Sequence, residues 1–169
     1  MGENLIDDRV WITKSHFPER VFFAHQTINK AVVIVRNPLD AIFSKFNFDV
    51  THTHDTSISD RSMAKYADLF DEFVKENVRV WREFHSYWME GRPDIPVYIL
   101  RFEDVLSHPK ETMTKVMKFL LNSADISGTM IDQLVQKEMV EVPQIYKPRS
   151  GKANKNLDKY TDAQVKFIK

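Results

Sequence analysis

Hydrophobic positions along this chain alternate between short β-branched runs and longer stretches with a period of three to four residues. Residues 31–35 and 97–100 are continuous apolar runs, which are typical of strands buried on both faces of a parallel sheet. A shorter β-prone run covers residues 10–13. The pattern therefore predicts three strands.

Helical periodicity fills the stretches between and after these runs. Asn37 is a good N-cap and Pro38 suits a first helical turn, so a helix is predicted from there to about residue 49. Residues 63–88 carry an apolar stripe that predicts one amphipathic helix of roughly 25 to 30 residues. Further helices are predicted at 109–120, at 127–137 and from residue 161. Strands that alternate with helices indicate an α/β fold with a parallel sheet.

Composition narrows the classes of protein and partner. The 169 residues predict a single domain, 1–169, and the balance of 24 basic and 24 acidic residues gives no global field for nucleic acid. The chain has no cysteine, which excludes disulfides and thiolate metal sites. No apolar run reaches the ~20 residues of a membrane span, so we expect a soluble chain. The compartment is left undetermined, and a homodimer is left open.

The most informative side chain is Arg36, which directly follows the 31–35 run. It is predicted at the carboxyl end of a parallel strand, where open α/β sheets place their ligands. Ser44 lies about two turns along the following helix, so the two side chains form a candidate clamp for an oxyanion. An ion pair between Arg36 and a neighbouring carboxylate is the alternative interpretation. The four glycines are isolated from one another, so the chain has no Walker-type loop.

Four short motifs follow one another along the chain: Lys14-Ser15-His16-Phe17-Pro18, Arg36-Asn37-Pro38-Leu39-Asp40 with Ser44, Phe102-Glu103-Asp104, and Arg149-Ser150-Gly151. In this order and spacing they resemble the sulfotransferases that use 3′-phosphoadenosine-5′-phosphosulfate. The Arg-Asn-Pro-x-Asp-Ala variant is also similar to the WSC-domain-containing sulfotransferases. The resemblance implies a three-layer parallel sheet with flanking helices, the P-loop NTPase-like sulfotransferase fold.

The resemblance also implies which residues bind the nucleotide. Arg36 and Ser44 would bind its 3′-phosphate together with the segment Arg149-Ser150-Gly151, where a glycine lets a backbone amide approach phosphate closely. Phe102 stands where the family usually has tyrosine, and it would line the adenine pocket. The alternatives are a core role for Phe102 and an ordinary loop glycine at 151.

Two further residues are predicted to be catalytic. His16 suits the base that takes the acceptor's proton, because the pKa of an unperturbed histidine lies near neutrality. Lys14 lies two residues earlier on an extended segment, so it would face the same side and approach the transferring group. A surface histidine at a strand end is the alternative for His16. His52, His54 and Asp55 form only a weak metal pattern, and no metal cofactor is expected.

One departure from the family bears on activity. The family's 5′-phosphosulfate loop precedes the Lys-x-His motif, and residues 1–10 contain no such loop. We therefore expect a partial domain, incomplete at both ends, which binds the desulfated nucleotide weakly and transfers no sulfate by itself. The preferred function is sulfuryl transfer to a hydroxyl or amine acceptor that the sequence does not identify. The alternatives are an inactive nucleotide-binding module and a P-loop-related, kinase-like phosphate-binding protein.

Overall fold

The computed structural model describes residues 11–14, 28–53, 55–91, 94–138 and 155–169. Within these ranges the chain is α/β, as predicted, with two strands and seven α-helices. In chain order the elements are β1 (Ala31–Val35), α1 (Pro38–Thr51), α2 (Asp60–Lys65), α3 (Ala67–Met89), β2 (Val97–Arg101), α4 (Phe102–Ser107), α5 (Pro109–Leu121), α6 (Met130–Glu138), a 3-10 turn (Leu157–Lys159) and α7 (Asp162–Ile168).

The two strands pair in parallel, and their register is fixed. Ala31 pairs with Val97, and the pairing continues to Val35 and Arg101 at the carboxyl ends. The sheet of the described residues has these two strands alone, so the predicted three-layer arrangement is not seen there. The register places the residues that follow the two strands, Arg36 and Phe102, side by side.

The predicted strand at 10–13 is wrong for its three described residues. Residues 11–13 adopt no regular secondary structure, and Trp11 and Ile12 are 65% and 60% exposed. A β-prone sequence becomes a strand only when a neighbour accepts its backbone hydrogen bonds, and no described segment pairs with residues 11–13.

Burial of the sheet is also less complete than the apolar runs predict. Val33 and Leu100 are buried, but Ile34 is 59% exposed and Ile99 is 38% exposed. Helix α5 contacts β2, where the rings of Tyr98 and Phe119 lie 5.3 Å apart. Coverage of the two-stranded sheet by described helices is therefore partial.

The main hydrophobic core lies between α1, α3 and the C-terminal segment. Its buried residues are Ile42, Phe43, Phe46, Phe70, Val74, Val78 and Tyr160. The α3 members recur every four residues, so one stripe of that helix faces α1. The predicted helix at 63–88 is interrupted at Tyr66, whose backbone leaves the helical region between α2 and α3. Its carbonyl then accepts the first hydrogen bond of α3, from the Phe70 amide.

Three other helices differ little from the sequence expectation, and one was missed. Helix α5 begins at Pro109 and α7 follows Thr161, whose hydroxyl forms a capping box with Gln164. Helix α6 begins at Met130, three residues later than predicted. The missed helix is α4, which is only six residues long and starts where β2 ends.

Candidate functional site

The carboxyl ends of the two strands bring Arg36 and Phe102 into contact. The Arg36 guanidinium lies over the Phe102 ring, with its central carbon 4.7 Å from the ring centroid. This contact follows from the register, because residues at equivalent positions of neighbouring strands lie about 4.8 Å apart. The ring thus supports the guanidinium through a cation–π interaction.

Two other elements hold the peptide group that joins Arg36 to Asn37. The Trp81 indole nitrogen, from α3, donates to the Arg36 carbonyl oxygen at 3.2 Å. The Asn37 amide donates to the Glu103 Oε1 atom at 2.8 Å, and the Asn37 side chain accepts from the Leu39 amide as the N-cap of α1. The β1–α1 turn is therefore fixed by α3 and α4 together.

Arg36 has no carboxylate partner among the described residues. It is half-buried, and within those ranges its guanidinium forms neither a hydrogen bond nor an ion pair. Glu103, the residue after Phe102, uses Oε1 to accept from the Asn37 amide. The alternative of an Arg36–carboxylate pair thus has no support in the described part of the chain.

Helix α1 carries Ser44 and Asp40 on one face, because they are four residues apart. Ser44 is half-buried, whereas Asp40 is only 1% exposed. The Asp40 Oδ1 atom accepts from the Asn156 amide at 3.3 Å and from the Asn156 side chain at 3.0 Å. Residues 155–160 are therefore fastened to the face of α1 that carries Ser44.

Tyr160 makes a second attachment to the same helical turn. Its hydroxyl donates to the Leu39 carbonyl at 2.7 Å, and its ring lies 5.3 Å from that of Phe70. Burial raises the pKa of the Tyr160 phenol well above its ordinary value, so the hydroxyl remains a donor. The sequence indicated neither attachment, because both join residues more than a hundred positions apart.

No contact within the described part of the chain places the remaining predicted site residues at the β1–α1 turn. Lys14 is exposed, in a segment without regular secondary structure, and makes no hydrogen bond or ion pair with the described residues. His16, Arg149, Ser150 and Gly151 lie outside the described residues, so their roles stay predictions.

Trp81 and Glu103 are the residues of this turn that the sequence analysis did not assign. Glu103 carried a signal, since it follows the aromatic residue of a quoted motif. Trp81 looked like a core position at helical spacing, and nothing local in the sequence connects it with Arg36.

Two further findings concern metals and membranes. No group of three or more His, Cys, Asp or Glu side chains within the described ranges could hold a metal ion. His54 of the weak metal pattern lies outside those ranges. Among the helices of the described residues, none is both long and apolar enough to cross a membrane.

Comparison with known proteins gives a consistent family. The family model described as "Sulfotransferase domain" matches residues 5–161. Mouse Sulfotransferase 2A6 is 30% identical over 110 residues, which cover 63% of this chain and 37% of the relative. A WSCD family member from Aedes aegypti is 24% identical over 119 residues, which cover 70% of this chain and 37% of the relative.

The chain thus spans little more than a third of the length of these curated relatives. No solved structure matches it. The family model nevertheless covers most of the chain and includes the strand–helix turn with Arg36 and Asp40. The protein belongs to the sulfotransferase domain family.

Proposed function

We propose that the protein is a sulfotransferase that uses 3′-phosphoadenosine-5′-phosphosulfate, and that the β1–α1 turn binds the 3′-phosphate of this nucleotide. The observation that carries the proposal is a half-buried Arg36 that lies over Phe102 and has no carboxylate partner among the described residues. An arginine that is partly withdrawn from water and has no counter-ion is a favourable partner for an incoming phosphate.

The contacts of the turn limit how a phosphate would be held. The Asn37 amide already donates to Glu103, and the Leu39 amide donates to the Asn37 side chain. Side chains therefore provide the main contacts in this proposal: the planar guanidinium of Arg36 and the hydroxyl of Ser44. The positive end of the α1 dipole adds a smaller, favourable contribution.

Two further parts of the nucleotide site are proposed on the family pattern. The Arg36 guanidinium covers one face of the Phe102 ring, so the adenine would pack against the part of the ring that Arg36 leaves uncovered. The segment Arg149-Ser150-Gly151 would complete the phosphate site. Gly151 precedes Asn156 by five residues, at most about 18 Å of extended chain, and Asn156 is bound to Asp40 on the Ser44 face of α1.

The proposed reaction moves a sulfuryl group from the nucleotide to a hydroxyl or amine. The bond between the sulfuryl sulfur and the bridging phosphate oxygen breaks, a bond from the acceptor atom to sulfur forms, and the desulfated nucleotide leaves. His16 would take the acceptor's proton, and Lys14 would neutralise charge that develops on the bridging oxygen. No metal takes part in this scheme.

Nucleotide preference tests the binding part of the proposal. Adenosine 3′,5′-bisphosphate should bind at least about tenfold more tightly than adenosine 5′-monophosphate, because each lost charge-assisted hydrogen bond costs ~1.5 to 3 kcal/mol. Isothermal titration calorimetry measures both dissociation constants on the same preparation. Equal affinities for the two nucleotides would exclude a 3′-phosphate site at this turn.

Transfer itself is tested with labelled donor and a panel of phenols, sugars and amines. We expect no detectable transfer by the 169-residue chain, because residues 1–10 include no serine or threonine for a 5′-phosphosulfate loop. A form extended upstream to include such a loop should be active. In that form, His16→Ala should lower turnover by ~10²-fold or more with little change in nucleotide affinity. An active His16→Ala variant would show that another residue is the base.

A further inference from the structure

We propose that Trp81 and Glu103 are positioning residues, which aim the Arg36 guanidinium at the nucleotide's 3′-phosphate. The inference rests on the proposed function and adds two residues to it. Neither would touch the phosphate. Each instead forms a hydrogen bond with one polar atom of the peptide group between Arg36 and Asn37.

Trp81 acts from the long helix α3. It lies three residues beyond Val78, the last buried member of the α3 stripe, and its side chain is half-buried. The indole N–H reaches the Arg36 carbonyl, which lies past the end of the β1–β2 pairing. The His85 ring stacks on the Trp81 ring, with centroids 3.7 Å apart, and this contact limits rotation of the indole. The strand end is thereby tied to a helix that contributes Phe70, Val74 and Val78 to the hydrophobic core.

Glu103 acts from the first turn of α4. Its Oε1 atom accepts from the Asn37 amide at 2.8 Å, so the carboxylate holds the turn that begins α1. Its neighbour Phe102 lies under the Arg36 guanidinium. One short stretch of chain therefore fixes the backbone after Arg36 and supports the end of its side chain.

These contacts bear on affinity because a free arginine side chain has many rotamers. Binding must restrict that freedom, and the restriction weakens the complex unless the folded protein has already imposed it. If the two hydrogen bonds are lost, the Arg36 backbone gains freedom while the guanidinium itself is unchanged. The expected loss is therefore specific for ligands that carry a 3′-phosphate.

The experiment compares four variants: Trp81→Phe, Glu103→Ala, Glu103→Gln and Trp88→Phe. The measured quantity is the ratio of the dissociation constants for adenosine 5′-monophosphate and adenosine 3′,5′-bisphosphate. Trp81→Phe and Glu103→Ala should each lower this ratio about three- to tenfold, as expected for loss of one ordinary hydrogen bond. Glu103→Gln keeps the accepting oxygen and should retain the ratio.

Trp88→Phe is the matched control, because Trp88 is a half-buried tryptophan two turns further along α3. It should leave the ratio unchanged. If Trp81→Phe and Glu103→Ala weaken the binding of both nucleotides equally, or change neither affinity, the two residues only support the fold. The positioning role is then wrong.

A nucleotide-free measurement separates this inference from the proposed function. Hydrogen exchange of the Asn37 amide should accelerate by about tenfold or more in Glu103→Ala and stay slow in Glu103→Gln. An unaltered protein without preference for the 3′-phosphate would overturn the proposed function, although the Asn37 amide would still be protected. Fast exchange of the Asn37 amide in the unaltered protein would instead contradict the proposed positioning role of Glu103.

Discussion

The two strand–helix units of this chain look alike in sequence and differ in structure. The first unit is β1 with α1, and the second is β2 with α4. An arginine stands at the end of each strand, and an acidic residue occupies the third position of each helix: Arg36 and Asp40 in the first unit, Arg101 and Asp104 in the second. Arg36 is half-buried against Phe102, whereas Arg101 is exposed and has no hydrogen-bond or ion-pair partner among the described residues.

The acidic residues differ in the same direction. Asp40 is buried and binds Asn156 through two hydrogen bonds. The half-buried Asp104 carboxylate forms no hydrogen bond or ion pair with the described residues and has only a longer-range attraction to Lys115. Arg101 and Asp104 line an open cleft of about 310 Å³ beside β2, which Arg36 does not line. Two arginines with the same place after or at the end of a strand thus differ as candidate sites, because only Arg36 lies at a turn that contacts from α3 and α4 hold in place.

Replacement of the two arginines should give the largest difference in nucleotide affinity between the two units. Arg36→Ala should abolish measurable binding of adenosine 3′,5′-bisphosphate, because it removes the only guanidinium that the described structure holds at the β1–α1 turn. The fold should remain cooperative in thermal unfolding. Arg101→Ala is the matched control and should change affinity less than about twofold. Loss of cooperative unfolding in Arg36→Ala would favour a structural role for Arg36.

The two acidic residues should differ in their effect on stability. Asp40→Ala leaves the Asn156 amide and side chain without their acceptor in a buried site, so we expect a loss of about 3 kcal/mol in the free energy of unfolding. Asp104→Ala removes a favourable interaction with the α4 dipole and a longer-range attraction to Lys115, together at most about 1 kcal/mol. Chemical denaturation measures both values. Equal losses would show that the buried contact with Asn156 contributes little.

Replacement of Ser44 tests whether the first unit binds phosphate through a second side chain. Ser44→Ala should weaken the binding of adenosine 3′,5′-bisphosphate about tenfold, because one hydroxyl contact to the 3′-phosphate is lost. The affinity for adenosine 5′-monophosphate should not change. Thr51→Ala is the control, since its hydroxyl lies in the last turn of the same helix and donates to the Asn47 carbonyl. Similar losses of affinity in both variants would point to helix stability instead of phosphate binding.

Replacement of Tyr160 should have the smallest effect, a change in stability that depends on pH. Burial raises the pKa of the folded Tyr160 phenol, so above pH ~10 the unfolded chain has released this proton and the folded chain has not. The unfolded state then binds fewer protons, and stability falls as pH rises. Tyr160→Phe loses the hydrogen bond to Leu39, so its free energy of unfolding should fall by about 1 kcal/mol at neutral pH. The stability of this variant should also decrease less steeply as pH rises above ~10. An unchanged alkaline slope in that variant would assign the decline to other groups.

Sequence reasoning went furthest where the signal was local. The apolar runs located β1 and β2, and the N-cap and proline at residues 37 and 38 located the start of α1. The same reasoning failed for residues 11–13, because β-propensity does not supply a partner strand. It also failed at Tyr66, because the apolar stripe continues across a break in the backbone.

The α/β class, the family and the position of Arg36 at a strand end could all be predicted from the sequence, because each rests on short motifs or runs whose residues are neighbours in the chain. Which of the two arginines is packed against other elements could be seen only in the folded chain. The strand register sets Arg36 beside Phe102, and the Trp81 and Asn156 contacts span 45 and 116 residues. Such contacts depend on how helices pack, and a hydrophobic pattern specifies which face of a helix is buried without naming its polar partner.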